Sequence, residues 1–85
     1  MNFGEALEAL KRGARVARAG WNGKGMFLYY VPPDIYPART EIAKSYIGAM
    51  VTYHAYIAMK ATDNTVFPWT PNMLDVLAED WETLA

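Results

Sequence analysis

Ten consecutive positions carry most of the chemistry that this sequence offers. The stretch Ala17-Arg18-Ala19-Gly20-Trp21-Asn22-Gly23-Lys24-Gly25-Met26 holds three glycines, one tryptophan, one asparagine and two cations. Glycine reaches φ > 0 and lets a backbone approach another object closely, at a cost in conformational entropy. Backbone N–H groups in such a turn form a nest for an anion. Arg18 or Lys24 adds charge, Trp21 offers a flat face for stacking, and Asn22 offers an amide. Gly23-Lys24-Gly25 lacks the full Gly-x-x-x-x-Gly-Lys-Ser/Thr pattern of a phosphate loop, so the signal rests on its company. That company is Trp69, Thr70, Asn72 and Asp75, where a second indole precedes a helix start whose free amides are a further anion site. These ingredients suit a nucleotide and provide no means of breaking it. The alternative use of Trp21 and Trp69 is plain core packing, of Arg18 an ion pair with a C-terminal acid, and of Asp75 complementing a helix dipole.

Catalytic and metal chemistry are poorly provided for. Nucleophilic catalysis needs a nucleophile beside a base. The chain has no cysteine, one histidine (His54) and one serine (Ser45). His54 falls in the polar row of a strand, where a surface or hydrogen-bonded role is the ordinary one. Metal sites need clustered His, Cys or carboxylates, and Glu79, Asp80 and Glu82 have no ligand spacing. We therefore expect no catalytic residue, no metal and no cofactor.

The sequence has 85 residues, 53% of them hydrophobic and 14% aromatic. A single domain, 1–85, is expected. A chain this short buries only about 60–65% of the surface its unfolded form exposes, and it has no disulfide to staple it. Three Trp, six Tyr, three Phe and five Met exceed what so small a body can hide, so part of that surface is expected at a subunit interface or in a ligand pocket. A net charge of −1 argues against a DNA or RNA binder, which usually carries a basic excess. Cations cluster from Lys11 to Lys24, whereas Asp63, Asp75, Glu79, Asp80 and Glu82 follow Lys60 without a further cation. No apolar run reaches the roughly 18 residues of a membrane helix, and Met1-Asn2-Phe3-Gly4-Glu5 lacks a signal-peptide core. A soluble, intracellular protein is expected.

These residues must be positioned by a small α+β fold. Asn2 with Glu5 three residues later resembles a capping box. Phe3, Ala6, Leu7 and Leu10 recur at helical spacing, and Gly13 closes a helix predicted over 3–12. Arg15 to Ala19 and Met26 to Val31 read as strands of a hairpin with the glycine-rich loop between them. Ile35-Tyr36-Pro37 reads as loop, and Thr40 to Lys44 as a turn of helix or part of a mobile flap. Alternation from Ala49 to Ala61 predicts one long strand as the spine of the sheet. Thr62-Asp63-Asn64-Thr65 is a turn. Thr70 as N-cap with Pro71 at the first helical position predicts a short helix whose Met73, Leu74 and Leu77 form an apolar stripe. Asp80 to Leu84 reads as a last strand. The architecture expected is an antiparallel sheet of about four to five strands, with an N-terminal helix and a short C-terminal helix on one face.

Phe3-Gly4-Glu5-Ala6-Leu7 with Gly13, the run Arg18 to Met26, Phe67-Pro68-Trp69 and Leu77-Ala78-Glu79-Asp80-Trp81 together resemble a family of small phage and prophage proteins, the Thoeris anti-defence protein two family. The likeness covers nearly the whole chain; Asn72 stands where the family pattern leads one to expect Asp. The resemblance implies a sponge. Members bind cyclic ADP-ribose isomers (glycocyclic ADP-ribose) made by Thoeris TIR enzymes and do not cleave them, so the effector stays inactive in the cytoplasm of the infected bacterial host. Some members also hold CBASS cyclic dinucleotides at a separate site. The resemblance further implies a homotetramer, built as a dimer of dimers with pockets between protomers. On this reading Trp21 and Trp69 wall the adenine. Asn22, Thr70 and Asn72 bond to ribose or base edges, Gly23 belongs to the anion-binding turn, Arg18 and Lys24 face the diphosphate, and Asp75 accepts from a ribose hydroxyl. The rival readings are a nucleotide hydrolase and a module that inhibits a host protein directly.

Overall fold

The computed structural model describes residues 1–21 and 24–84. Helix α1 (Phe3–Lys11) begins where the sequence signals it. The Asn2 side chain accepts from Glu5 N–H at 2.8 Å, and Glu5 Oε1 accepts from Asn2 N–H at 3.0 Å. It ends at Arg12 and Gly13, the latter at φ +93°. Gly13 N–H donates to Leu10 C=O and Ala14 N–H to Ala9 C=O, the paired bonds of a Schellman stop.

Strands β1 (Arg15–Arg18), β2 (Phe27–Val31), β5 (Tyr56–Lys60), β6 (Val66–Pro68) and β7 (Trp81–Leu84) make one antiparallel sheet in the order β6-β5-β2-β1-β7. The register places Val16 opposite Leu28 and Leu28 opposite Met59. That row, with Trp81, faces Ala6, Ala9 and Leu10 of α1 and forms the buried core. Asp63 accepts from Thr65 N–H and Oγ1 in the turn before β6, and this bonding, led by the Thr65 hydroxyl, holds its carboxyl below the usual range.

Three expectations need correction. The pattern over 49–61 is not one strand. It divides into β4 (Met50–Tyr53) and β5, which lie in different sheets with His54 and Ala55 between them. A two-residue connection preserves parity, so alternation runs through it unbroken. Second, Asp34–Pro37 is a strand, β3, paired with β4 in a two-stranded sheet; proline is tolerated on such an edge. Between β3 and β4 lies α2 (Glu41–Tyr46), capped by the Thr40 side chain on Ala43 N–H. Third, α3 (Met73–Leu77) starts at Asn72 rather than Thr70, because Asn72 and Asp75 form a reciprocal capping box. Its anticipated apolar stripe also points outward. Met73, Leu74 and Leu77 are 68%, 74% and 69% exposed, whereas Asp75 is 8% exposed.

Loss of a capping side chain costs about 1 kcal/mol, worth roughly 4–8 °C for a domain of this size. Asn2→Ala is accordingly expected to lower the melting temperature by about that interval in a circular-dichroism melt. An unchanged melt would mean that α1 is not held at this end by its cap.

Candidate functional site

The aromatic residues converge on Trp81, the largest fully buried side chain. Its indole N–H donates to Asp75 C=O at 2.9 Å, which satisfies the one polar atom that burial would otherwise orphan. Trp21 stands edge-on to it, centroids 5.5 Å apart at 84°, and Trp69 stands edge-on at 6.0 Å and 82°. Phe3 of α1 leans on Trp81 at 5.6 Å and on Trp69 at 6.2 Å. Trp21 and Trp69 are both half-buried, so each keeps an open face while packing on the core. Both rings therefore pack on the core, as the alternative use has it, with part of each left exposed.

The two indoles do not line one cleft of a single chain. Trp21 borders a pocket of about 270 Å³ together with Arg15, Gly25, Met26, Phe27, Lys60 and Leu84. Trp69 borders a separate groove of about 350 Å³ with Lys11, Tyr30 and Ile57.

The first pocket lies between the glycine-rich stretch and the sheet face opposite α1. Arg15, Phe27 and Lys60 each sit one position from a core residue (Val16, Leu28, Met59), so the pleat turns all three to this open face. The Arg15 guanidinium carbon lies 5.0 Å from the Phe27 ring centroid and Lys60 Nζ lies 5.8 Å from it, both within cation–π range. Lys60 Nζ also donates to Gly25 C=O at 2.8 Å. Gly25 has φ +72°, and a Cβ there would meet Lys60 Nζ at 3.4 Å. Lys24 is exposed, and its N–H donates to Trp21 C=O at 3.1 Å. The pocket thus brings two aromatic rings and two cations together.

The other expected site residues are placed as follows. Asn22 and Gly23 lie outside the described residues. Arg18 is held by two carboxylates: Nε donates to Asp80 Oδ1 at 2.9 Å and Nη1 to Asp75 Oδ1 at 3.3 Å. The Asp80 hydrogen bond raises the Arg18 pKa above its ordinary value, against a smaller opposing effect of burial. Arg18 thus makes the C-terminal ion pair weighed as its alternative use. Asn72 and Asp75 bond to each other: Asp75 N–H donates to Asn72 Oδ1 at 2.9 Å, and Asn72 N–H to Asp75 Oδ2 at 3.1 Å. The amides of Asn72 and Asp75, at the start of α3, are therefore already partnered. Thr70 is exposed beside Trp69.

Sequence reasoning missed Arg15, Phe27 and Lys60, although their common offset from the core row was readable once the strands were paired. It also missed a cleft of about 370 Å³ at the joint of the two sheets, lined by Tyr36, Arg39, Tyr53, His54 and Tyr56 with Val31 and Pro32. The joint consists of Pro32-Pro33 on one side and His54-Ala55 on the other. Tyr36 and Tyr53 stack obliquely at 5.9 Å. Among the described residues no group of three His, Cys, Asp or Glu is placed to hold a metal ion. Ser45 lies on α2 and His54 between β4 and β5, and no hydrogen bond joins them. Among the described residues no helix is long and apolar enough to cross a membrane.

The Thoeris anti-defense 2-like domain (Tad2-like) matches residues 1–84 of this chain. The chain is similar to Thoeris anti-defense 2 of Bacillus phage SP01, with 43% identity over 86 residues that span all of this chain and 96% of that protein. A match over that extent places this α+β chain in the Thoeris anti-defense 2-like family.

Proposed function

We propose that this protein is a phage anti-defence sponge, which binds and sequesters cyclic ADP-ribose-type messengers (glycocyclic ADP-ribose) made by Thoeris TIR enzymes without degrading them. The observation that carries the reading is the pocket below the glycine-rich stretch. Trp21 and Phe27 give an adenine a stacking surface. Arg15 and Lys60 converge on the same ring and face the diphosphate, and the exposed Lys24 adjoins the lining residue Gly25 in sequence. The lining given by the described residues is two cations, two aromatic rings, a glycine, a methionine and a leucine, which suits holding such a molecule.

A sponge acts stoichiometrically and must bind tightly. A nanomolar constant corresponds to about −12 kcal/mol. Pockets for small molecules usually enclose roughly 300–1,000 Å³, and this one offers about 270 Å³ in a single chain. Completion by a second copy fits that shortfall. Exposed Ile42, Tyr46, Ile47, Met73, Leu74 and Leu77 supply the apolar surface for such contacts, and a homotetramer of paired dimers in the cytoplasm of the infected host is the assembly we favour. The joint cleft with its three tyrosines, Arg39 and His54 supports a second reading, a separate site for CBASS cyclic dinucleotides.

The test is calorimetry with purified protein and glycocyclic ADP-ribose, followed by mass spectrometry of the small molecule released on heating. We expect tight, saturable binding and recovery of the intact ligand. Breakdown products would favour a hydrolase, and no heat with binding to a host protein would favour a direct inhibitor. Truncation of a buried binding anchor costs 2 kcal/mol or more, so Lys60→Ala, Arg15→Ala and Trp21→Ala are each expected to weaken binding about 30-fold. The two cation variants should do so less at high salt, since exposed charge is screened.

A further inference from the structure

We infer that Asp75 is a positioning residue for the tryptophan walls, acting through Trp81 and not by touching the ligand; this rests on the binding reading above. Asp75 is the one buried charged side chain among the described residues. Burial of a carboxylate is costly unless it is paired and hydrogen-bonded. Here the five-residue helix α3 is turned so that Asp75 faces the body of the protein while Met73, Leu74 and Leu77 face away. That orientation has no explanation in the packing of α3 itself, and it has one in the bonds that Asp75 makes.

Those bonds converge from three elements. Oδ1 accepts from Arg18 at the end of β1, at 3.3 Å. Oδ2 and the backbone N–H close the cap with Asn72. The backbone carbonyl accepts from the Trp81 indole at 2.9 Å. Both oxygens of the carboxylate are thus engaged. The carboxylate fixes α3 against β1, and the carbonyl then fixes the rotation of the Trp81 ring. Trp21 and Trp69 meet that ring edge-on at 84° and 82°, so its rotation sets the planes of both. A ring held in its bound orientation before the ligand arrives binds with a smaller ordering cost.

Asp75→Asn tests this, because it keeps the size and one carbonyl oxygen but cannot accept from Arg18 and Asn72 at once. Three closely packed indoles give an exciton-coupled band in the far-ultraviolet circular dichroism, which reads ring geometry without ligand. The variant is expected to unfold cooperatively, to lose at least half of that band, and to bind glycocyclic ADP-ribose at least ten-fold more weakly. Wild-type affinity in Asp75→Asn overturns the inference. So does weakened binding with an unchanged band, which would make Asp75 a direct contact. Should Asp75→Asn fail to fold, Asp75→Glu takes its place with the same outcomes. Failure of both to fold also overturns the inference, because Asp75 would then hold the fold and not the rings. If the wild-type protein binds no cyclic ADP-ribose isomer, the binding reading falls, and the band in Asp75→Asn still decides the geometric claim alone.

Discussion

A buried indole with a single polar atom is the constraint around which this molecule is arranged. Trp81 has one N–H, and burial demands a partner for it. The partner is the carbonyl of Asp75, so α3 must lie where that carbonyl can reach the end of β7. Sheet register brings Arg18 opposite Trp81, and Arg18 reaches both Asp75 and Asp80. Phe3 of α1 packs on the ring. An aromatic pair in tilted or edge-on geometry contributes about 0.5–1.5 kcal/mol beyond its buried area. Three such contacts on one ring are substantial beside the marginal stability of a small domain.

The same constraint decides on which face each charge stands. Arg18 sits on the core face of the sheet and is held by carboxylates, so its charge is neutralised where it stands. Arg15 and Lys60 are displaced by one position from core residues and emerge on the opposite face around Phe27. Alternation along β1 thus puts Arg15 and Arg18, three residues apart, on opposite faces of the sheet. The ion pairs Lys11–Glu8 and Lys44–Glu41 are largely exposed and contribute little, as solvated pairs usually do.

Much of the fold was legible because it follows from local chemistry. The Asn2–Glu5 box, the Gly13 stop and the apolar spacing of Phe3 to Leu10 define α1 without tertiary information. The last strand and its tryptophan are equally plain. The failures have physical causes. A two-residue joint at His54-Ala55 keeps the phase of alternation, so β4 and β5 read as one strand. Pro32, Pro33 and Pro37 mask β3, which survives only because it is an edge. Thr70-Pro71 imitates a helix start, but the reciprocal fit of Asn72 and Asp75 sets it two residues later. At the site, residue types announced Trp21 and Trp69, but only strand register could show that they border different clefts and that Arg15, Phe27 and Lys60 share one.

The proposed binding depends on a fixed central ring, Trp81, with two half-buried flanking rings, Trp21 and Trp69. The most direct measurement is an ¹H–¹⁵N spectrum of the three indole N–H groups, followed through a titration with glycocyclic ADP-ribose. The account predicts that the Trp81 signal exchanges slowly with water and stays in place, while the Trp21 signal moves with saturation. A Trp81 signal that exchanges as fast as the other two, or a titration in which Trp81 moves and Trp21 does not, would contradict it.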